Sequence, residues 1–167
     1  MQINEPASDF SLPDLSGKVH RLGDYRGSYV VLDFWSCECP HSERTDPILI
    51  EKTKEWTSEV VVLFVASNRS ETTQCITGAA SERHLQIVLL DAHQTVADLY
   101  EAQTTPHIFV IDRLGILRYR GALDDVTFRQ RSPTRSFLDE TMKALLAGQM
   151  PNPAETPAYG CTIVREV

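Results

Sequence analysis

The stretch that most limits how this chain can fold is Tyr29-Val-Val-Leu-Asp-Phe-Trp35, which runs straight into Ser36-Cys-Glu-Cys-Pro-His41. Its first part is β-branched and aromatic, with Asp33 as the one charge. That pattern predicts a strand covered on both faces. Pro40 suits the first position of a helix, where a missing N–H is no loss. A helix is therefore expected from Pro40 to about Thr57, kinked at Pro47. Cys39 then stands at a helix N-terminus, whose partial positive charge and free N–H groups favour thiolate over thiol. A free thiol has a pKa of about 8.5, and sites of this kind bring it to about 7 or lower. The residues point to thiol redox chemistry centred on Cys39.

The rest of the chain alternates strand and helix signals. Phe10-Ser-Leu12 and Val19 to Leu22 suggest a short edge hairpin in a turn-rich opening over residues 1–28. Val60 to Val65 reads as a second buried strand. Ser70 is the expected cap of a helix reaching about Arg83, with Cys75, Ile76, Ala79 and Ala80 along one face. That stripe makes Cys75 a structural residue. Gln86 to Leu90 is a short strand, and Thr95 to Tyr100 a short helix. A strand begins after Pro106, since proline is tolerated at a strand's first position. Arg113-Leu-Gly115 turns the chain back into Ile116–Ala122. Ser132 and Pro133 should open a last helix, with Leu138, Met142, Leu145 and Leu146 on its face and Gly148 at its end. Together these predict an α/β domain over residues 1–167, a mixed sheet between helices, with a proline-rich tail over 149–167.

A chain of 167 residues is long enough for a sizeable core. A net charge of −7 without a basic stripe speaks against nucleic acid or an anionic membrane as partner. The opening residues lack the basic and apolar regions of a secretory leader, so the expectation is a cytoplasmic protein, or an exported one whose leader has been removed. Four cysteines do not suggest a disulfide-stapled scaffold.

Asp33-Phe-Trp-Ser-Cys-Glu-Cys39-Pro-His-Ser42 resembles the active-site segment of the thioredoxin superfamily, Asp-Phe-Trp-Ala-x-x-Cys-x-x-Cys, with Pro47 at the place of that family's helix proline. Thr105-Pro106 resembles its cis-proline loop. Asn4 to Leu12 and Leu22 to Gly27 resemble the opening of the redoxin branch, which includes thiol-specific antioxidant and TlpA-like proteins. The ending Thr156 to Ile163 resembles a Gly-Cys-x-Ile tail of some redoxin-like proteins. The resemblance covers nearly the whole chain. It implies a thioredoxin-like fold with an N-terminal β-hairpin extension, and a thiol–disulfide oxidoreductase or peroxiredoxin-like, antioxidant enzyme without a cofactor. Its substrates would be protein or small-molecule disulfides or hydroperoxides, and its reductant an external thiol. Two departures stand out: Ser42 replaces the second motif cysteine, and Leu32 stands where peroxiredoxins carry a proline.

The resemblance makes Cys39 the nucleophile, Asp33 the buried acid beside Trp35, and Thr105 with Pro106 a backbone platform for an extended substrate. Ser42 either caps the first helical turn or hydrogen-bonds the Cys39 thiolate, and the two are compatible. Cys161 either packs at the end of the tail or swings onto oxidised Cys39 as the resolving thiol. Cys37 is a second resolving candidate, through a small and labile Cys-x-Cys ring. A different reading gathers Cys37, Cys39 and His41, with His107 opposite, into a Cu(I) or Zn(II) site. A third treats the chain as a binding module that has lost catalysis, on the evidence of Ser42.

Overall fold

The computed structural model describes all 167 residues. The apolar run folds as strand β3 (Tyr29–Trp35), which lies at the centre of a five-stranded sheet. On one side it pairs in parallel with β4 (Val60–Ala66), which continues to the short β5 (Val88–Leu90). On the other side it pairs antiparallel with β7 (His107–Ile111), then β8 (Leu117–Gly121), giving the order β5-β4-β3-β7-β8. The mixed α/β sheet expected from the alternation of signals is present. Two small ladders flank it: β1 (Ser11–Pro13) with β2 (Val19–Arg21), and β6 (Thr104–Thr105) with β9 (Cys161–Thr162).

The two faces of β3 feed two cores, as period-two alternation requires. Val30, Leu32 and Phe34 pack with Phe10, Leu12 and Leu22 of the N-terminal hairpin region and with Val96 and Ala97 of α3 (Thr95–Leu99). Val31 and Trp35 pack on the other face. There they meet Leu49 of α1 (Pro40–Glu55), Ile76 and Ala80 of α2 (Thr73–Glu82), and Leu138, Met142 and Leu145 of α4 (Phe137–Leu146). Each fully buried side chain of this size contributes about 1.5–3 kcal/mol. Asp33 faces this second core, fully buried.

Two helix starts differ from the sequence expectation. Thr72, not Ser70, caps α2, its hydroxyl accepting from the Cys75 N–H at 3.1 Å. Glu71 is drawn away from the helix start to Ser36 and Glu38. Ser136, not Ser132, caps α4 through the Asp139 N–H at 3.2 Å. The Asp125 carboxylate accepts from the N–H groups of Thr134 and Arg135, at 2.9 and 3.2 Å, and holds that segment out of the helix. Pro47 lies inside α1, which continues through it. Gly148 does close α4, with φ of +74°, a conformation glycine adopts without steric cost.

The tail is bound along most of its length. Thr156 hydrogen-bonds Tyr119 and the Ala122 N–H. Ile163 is buried in the first core, and its N–H donates to the Gln103 carbonyl. Arg165 pairs with Asp98 at 2.7 Å. No helix is long and apolar enough to cross a membrane.

Candidate active site

Strand β3 ends at Trp35 and delivers the turn Ser36–Cys39 to the start of α1, so Cys39 is the N-cap residue and Pro40 follows inside the helix. Cys39 is 3% exposed. Its Sγ lies 3.0 Å from the carbonyl oxygen of Thr105, to which the thiol donates. The Thr105–Pro106 bond is cis. Thr105 stands opposite Cys161 in the β6–β9 ladder. The tail cysteine therefore lies on the strand that pairs beside Cys39 rather than on a free tail.

The two thiols shift each other's ionisation in opposite directions. Burial pushes the Cys39 thiol up, but donors outweigh it and its pKa is lowered. Those donors are the Cys161 thiol, the Thr105 side chain, and the N–H groups of Ser42 and Cys161. The Thr105 hydroxyl is buried. Cys161 moves the other way, to about 11, through burial, its hydrogen bond to Cys39 and the negative charge developing there, against a lowering bond from the His41 N–H. Both sulfurs thus draw on the free N–H groups at the start of α1. Of the two thiols, Cys39 is the more readily ionised.

Ser42 acts through its backbone. Its N–H faces the Cys39 sulfur, while its hydroxyl, fully buried, accepts from the Ser36 N–H at 3.3 Å. The side chain fixes the turn rather than the thiolate. Asp33 lies beneath, fully buried, with no side-chain partner for either carboxylate oxygen. Burial first, then the charges of Asp46 and Cys39, raise its pKa well above the usual carboxylate value. Trp35 is buried and donates from Nε1 to Asp46 Oδ2 at 2.8 Å, so it is floor rather than wall.

Cys37 sits elsewhere in the chemistry. It forms a disulfide with Cys75 across a Cα–Cα separation of 6.2 Å, tying the active turn to α2. This departs from Cys37 as a partner of Cys39, and gives the structural role expected of Cys75 a bonded form. It also takes the Cys37 sulfur out of the Cu(I) or Zn(II) set. No three His, Cys, Asp or Glu side chains converge to hold a metal ion. His41 packs edge-on against Tyr159 of the tail, with ring centroids 5.0 Å apart. His107 turns away to a polar cavity with Tyr100, Arg120 and Glu155. There burial and Arg120 lower its pKa to about 4.

Several residues beneath the turn were not singled out by sequence. Arg83 bonds Asp46 Oδ2 at 3.0 Å and the Cys37 carbonyl at 2.9 Å. Asp46 remains above its usual pKa because burial outweighs the Trp35 and Arg83 contacts. Glu71 accepts from Ser36 Oγ and from the Glu38 N–H. In sequence these are ordinary helix charges. Only their arrival under one turn distinguishes them.

With this geometry in hand, the sequence profile of the AhpC/TSA family matches residues 3–120. The chain belongs to the AhpC/TSA family. The match ends before the tail that carries Cys161. Among curated relatives, a thiol-disulfide oxidoreductase, ResA, of Geobacillus kaustophilus is 32% identical over 114 residues, 68% of this chain and 65% of that protein. The chain thus spans slightly under two thirds of that relative's length. A hypothetical protein of Sinorhizobium meliloti superposes with a TM-score of 0.90 at 26% identity, over 100% of this chain and 96% of that one. That likeness runs through the tail. A candidate thiol:disulfide interchange protein, DsbE, of Chlorobium tepidum gives 0.66 at 25% identity, over 72% of this chain and 84% of that one. The fold is thioredoxin-like, as the sequence resemblance implied.

Proposed function

We propose that the chain is a thiol–disulfide oxidoreductase in which Cys39 is the nucleophile and Cys161 the resolving thiol. The observation that carries this is that Thr105, whose carbonyl lies 3.0 Å from the Cys39 sulfur, stands opposite Cys161 in the β6–β9 ladder. Family membership and the relatives named for the same activity support it.

In the reaction the Cys39 thiolate attacks one sulfur of a substrate disulfide. A mixed disulfide forms and the other substrate sulfur leaves as a thiolate. Asp33, with its raised pKa, is the buried acid assigned to proton transfer at this step. Cys161 then loses its proton and attacks the Cys39 sulfur, closing a Cys39–Cys161 disulfide and expelling the second substrate thiolate. The protein dithiol is oxidised by two electrons and the substrate disulfide is reduced to two thiols. An external thiol returns the enzyme to its starting state. Thr105 and Pro106 carry the backbone platform, Ser42 and Trp35 hold its surroundings, and Cys37 stays in its bond with Cys75.

A second reading keeps the same residues and takes a hydroperoxide as oxidant. The burial of Cys39 favours it, because a small oxidant reaches a covered thiol more readily than a protein does. Cys39 would become a sulfenic acid, and Cys161 would condense with it, releasing water. The antioxidant role and the cytoplasmic address belong to this finer level. The state of Cys37–Cys75 in the cell tests the address. Free thiols fit the cytosol, and a persistent bond fits an oxidising compartment.

The test of the activity is trapping. Cys161→Ser incubated with an aromatic disulfide should hold a stable mixed disulfide on Cys39, and Cys39→Ser should hold none. Equal labelling of both variants would remove Cys39 as nucleophile.

A further inference from the structure

The tail does more than carry a cysteine. Cys161 meets Cys39 because it pairs antiparallel with Thr105, while Ile163 donates to the Gln103 carbonyl on the same edge. Those backbone groups are the ones any extended chain would use to present a sulfur to Cys39. Gly160 lies so close to the Thr105 carbonyl that a Cβ built there would collide with main chain, not with a flexible side chain. The surface therefore has a shape requirement: no side chain immediately before the reacting cysteine. Tyr159 packs on His41 on one side of this step, and Ile163 fills the core on the other.

We propose that residues 159–163 are a tethered occupant of the Thr105 platform, and that an extended peptide taking their place must carry glycine before the cysteine it presents to Cys39. While docked, the tail covers Cys39 and keeps protein disulfides out. A protein partner enters only when the tail lifts, and then it must itself offer a glycine before its cysteine. This rests on Cys39 being the nucleophile. It adds the substrate class and the gate.

The test uses the full chain with Cys161→Ser, so that the tail stays but cannot resolve. A second version adds Ile163→Ala and Arg165→Ala, which remove two tail anchors. Three thionitrobenzoate disulfides are supplied: one on methanethiol, one on the peptide Ala-Tyr-Gly-Cys-Thr-Ile, and one on the same peptide with alanine before the cysteine. The Cys39 thiolate attacks the methyl or peptide sulfur and expels coloured thionitrobenzoate, so each rate is read directly. Loosening the tail should raise the ratio of Gly-Cys peptide rate to methyl rate by about tenfold, a change of ~1.4 kcal/mol in relative barrier. In the loosened chain the Ala-Cys peptide should react about tenfold more slowly than the Gly-Cys peptide. An unchanged peptide-to-methyl ratio, or equal rates for the two peptides, overturns the proposal while leaving Cys39 a nucleophile. Release from none of the three overturns the nucleophile and the proposal with it. Circular dichroism of the loosened chain guards against unfolding. If it does not fold, Arg165→Ala alone is used, with the same ratio and peptide comparison as the criterion.

Discussion

Thr105 and Cys161 face each other across a two-residue antiparallel ladder, and that pairing, more than any side-chain contact, puts a second thiol on Cys39. The consequence is electrostatic as well as geometric. A thiol that donates a hydrogen bond stabilises its neighbour as a thiolate and becomes harder to ionise itself, which is the direction of both shifts.

Cys161→Ala should therefore raise the pKa of Cys39, since the largest stabilising contact is gone while the Ser42 N–H stays. The alkylation rate of Cys39 against pH reports this, with the midpoint moving to higher pH than in a chain that keeps Cys161. A midpoint that stays put or falls would show that the thiol–thiol contact does not govern the ionisation.

Gly160→Ala should weaken the tail's grip. The added methyl meets the Thr105 carbonyl, and overpacking of this kind costs about 1–3 kcal/mol. Urea unfolding should show that loss, and the intramolecular disulfide should form more slowly after oxidation. Unchanged stability together with an unchanged closing rate would mean that the tail does not need this close approach.

Asp33→Asn bears on pH dependence. The folded-state pKa of Asp33 is raised, so the folded chain holds a proton that the unfolded chain releases above its ordinary value of 3.8. Its contribution is thus present below that value and is lost as pH rises towards the folded pKa. Relative to Asp33→Asn, the unmodified chain should lose stability as pH rises above about 4. His107 works in the opposite sense. Its folded pKa is lowered from 6.5 to about 4, so it costs stability as pH falls through that window. Comparing the variant with the parent cancels it. A stability difference independent of pH would mean that Asp33 ionises normally.

Replacing both Cys37 and Cys75 by alanine should cost about 4 kcal/mol on the chain-entropy estimate for cysteines 38 residues apart. Chemical denaturation measures it. Closure of Cys39 onto Cys161 should survive, because neither sulfur of that pair depends on the bond. Loss of that closure in a folded double variant would place Cys37 back in the redox cycle.

The buried strand before Cys39 and the helix that follows it were legible in the sequence because they rest on strong local signals. Tyr29–Trp35 has few ways to fold other than as a strand covered on both faces, and Pro40 marks a helix start. The starts of α2 and α4 were misread for a tertiary reason: Glu71 and Asp125 spend their carboxylates on distant partners, which moves the caps to Thr72 and Ser136. The Cys37–Cys75 bond and the Arg83–Asp46 pair under Trp35 depend on how α2 meets α1, which no local pattern specifies. Cys161 was visible as a candidate. Its register against Thr105 was not, because a two-residue ladder leaves almost no periodic trace.

The most direct measurement starts from protein with Cys37–Cys75 intact and Cys39 and Cys161 free. One equivalent of hydrogen peroxide is added, remaining thiols are blocked, and the digest is mapped by mass. A Cys39–Cys161 linked peptide, with Cys37–Cys75 retained, is the expected result. A Cys37–Cys39 link, or an oxidised Cys39 beside a blocked Cys161, would contradict it.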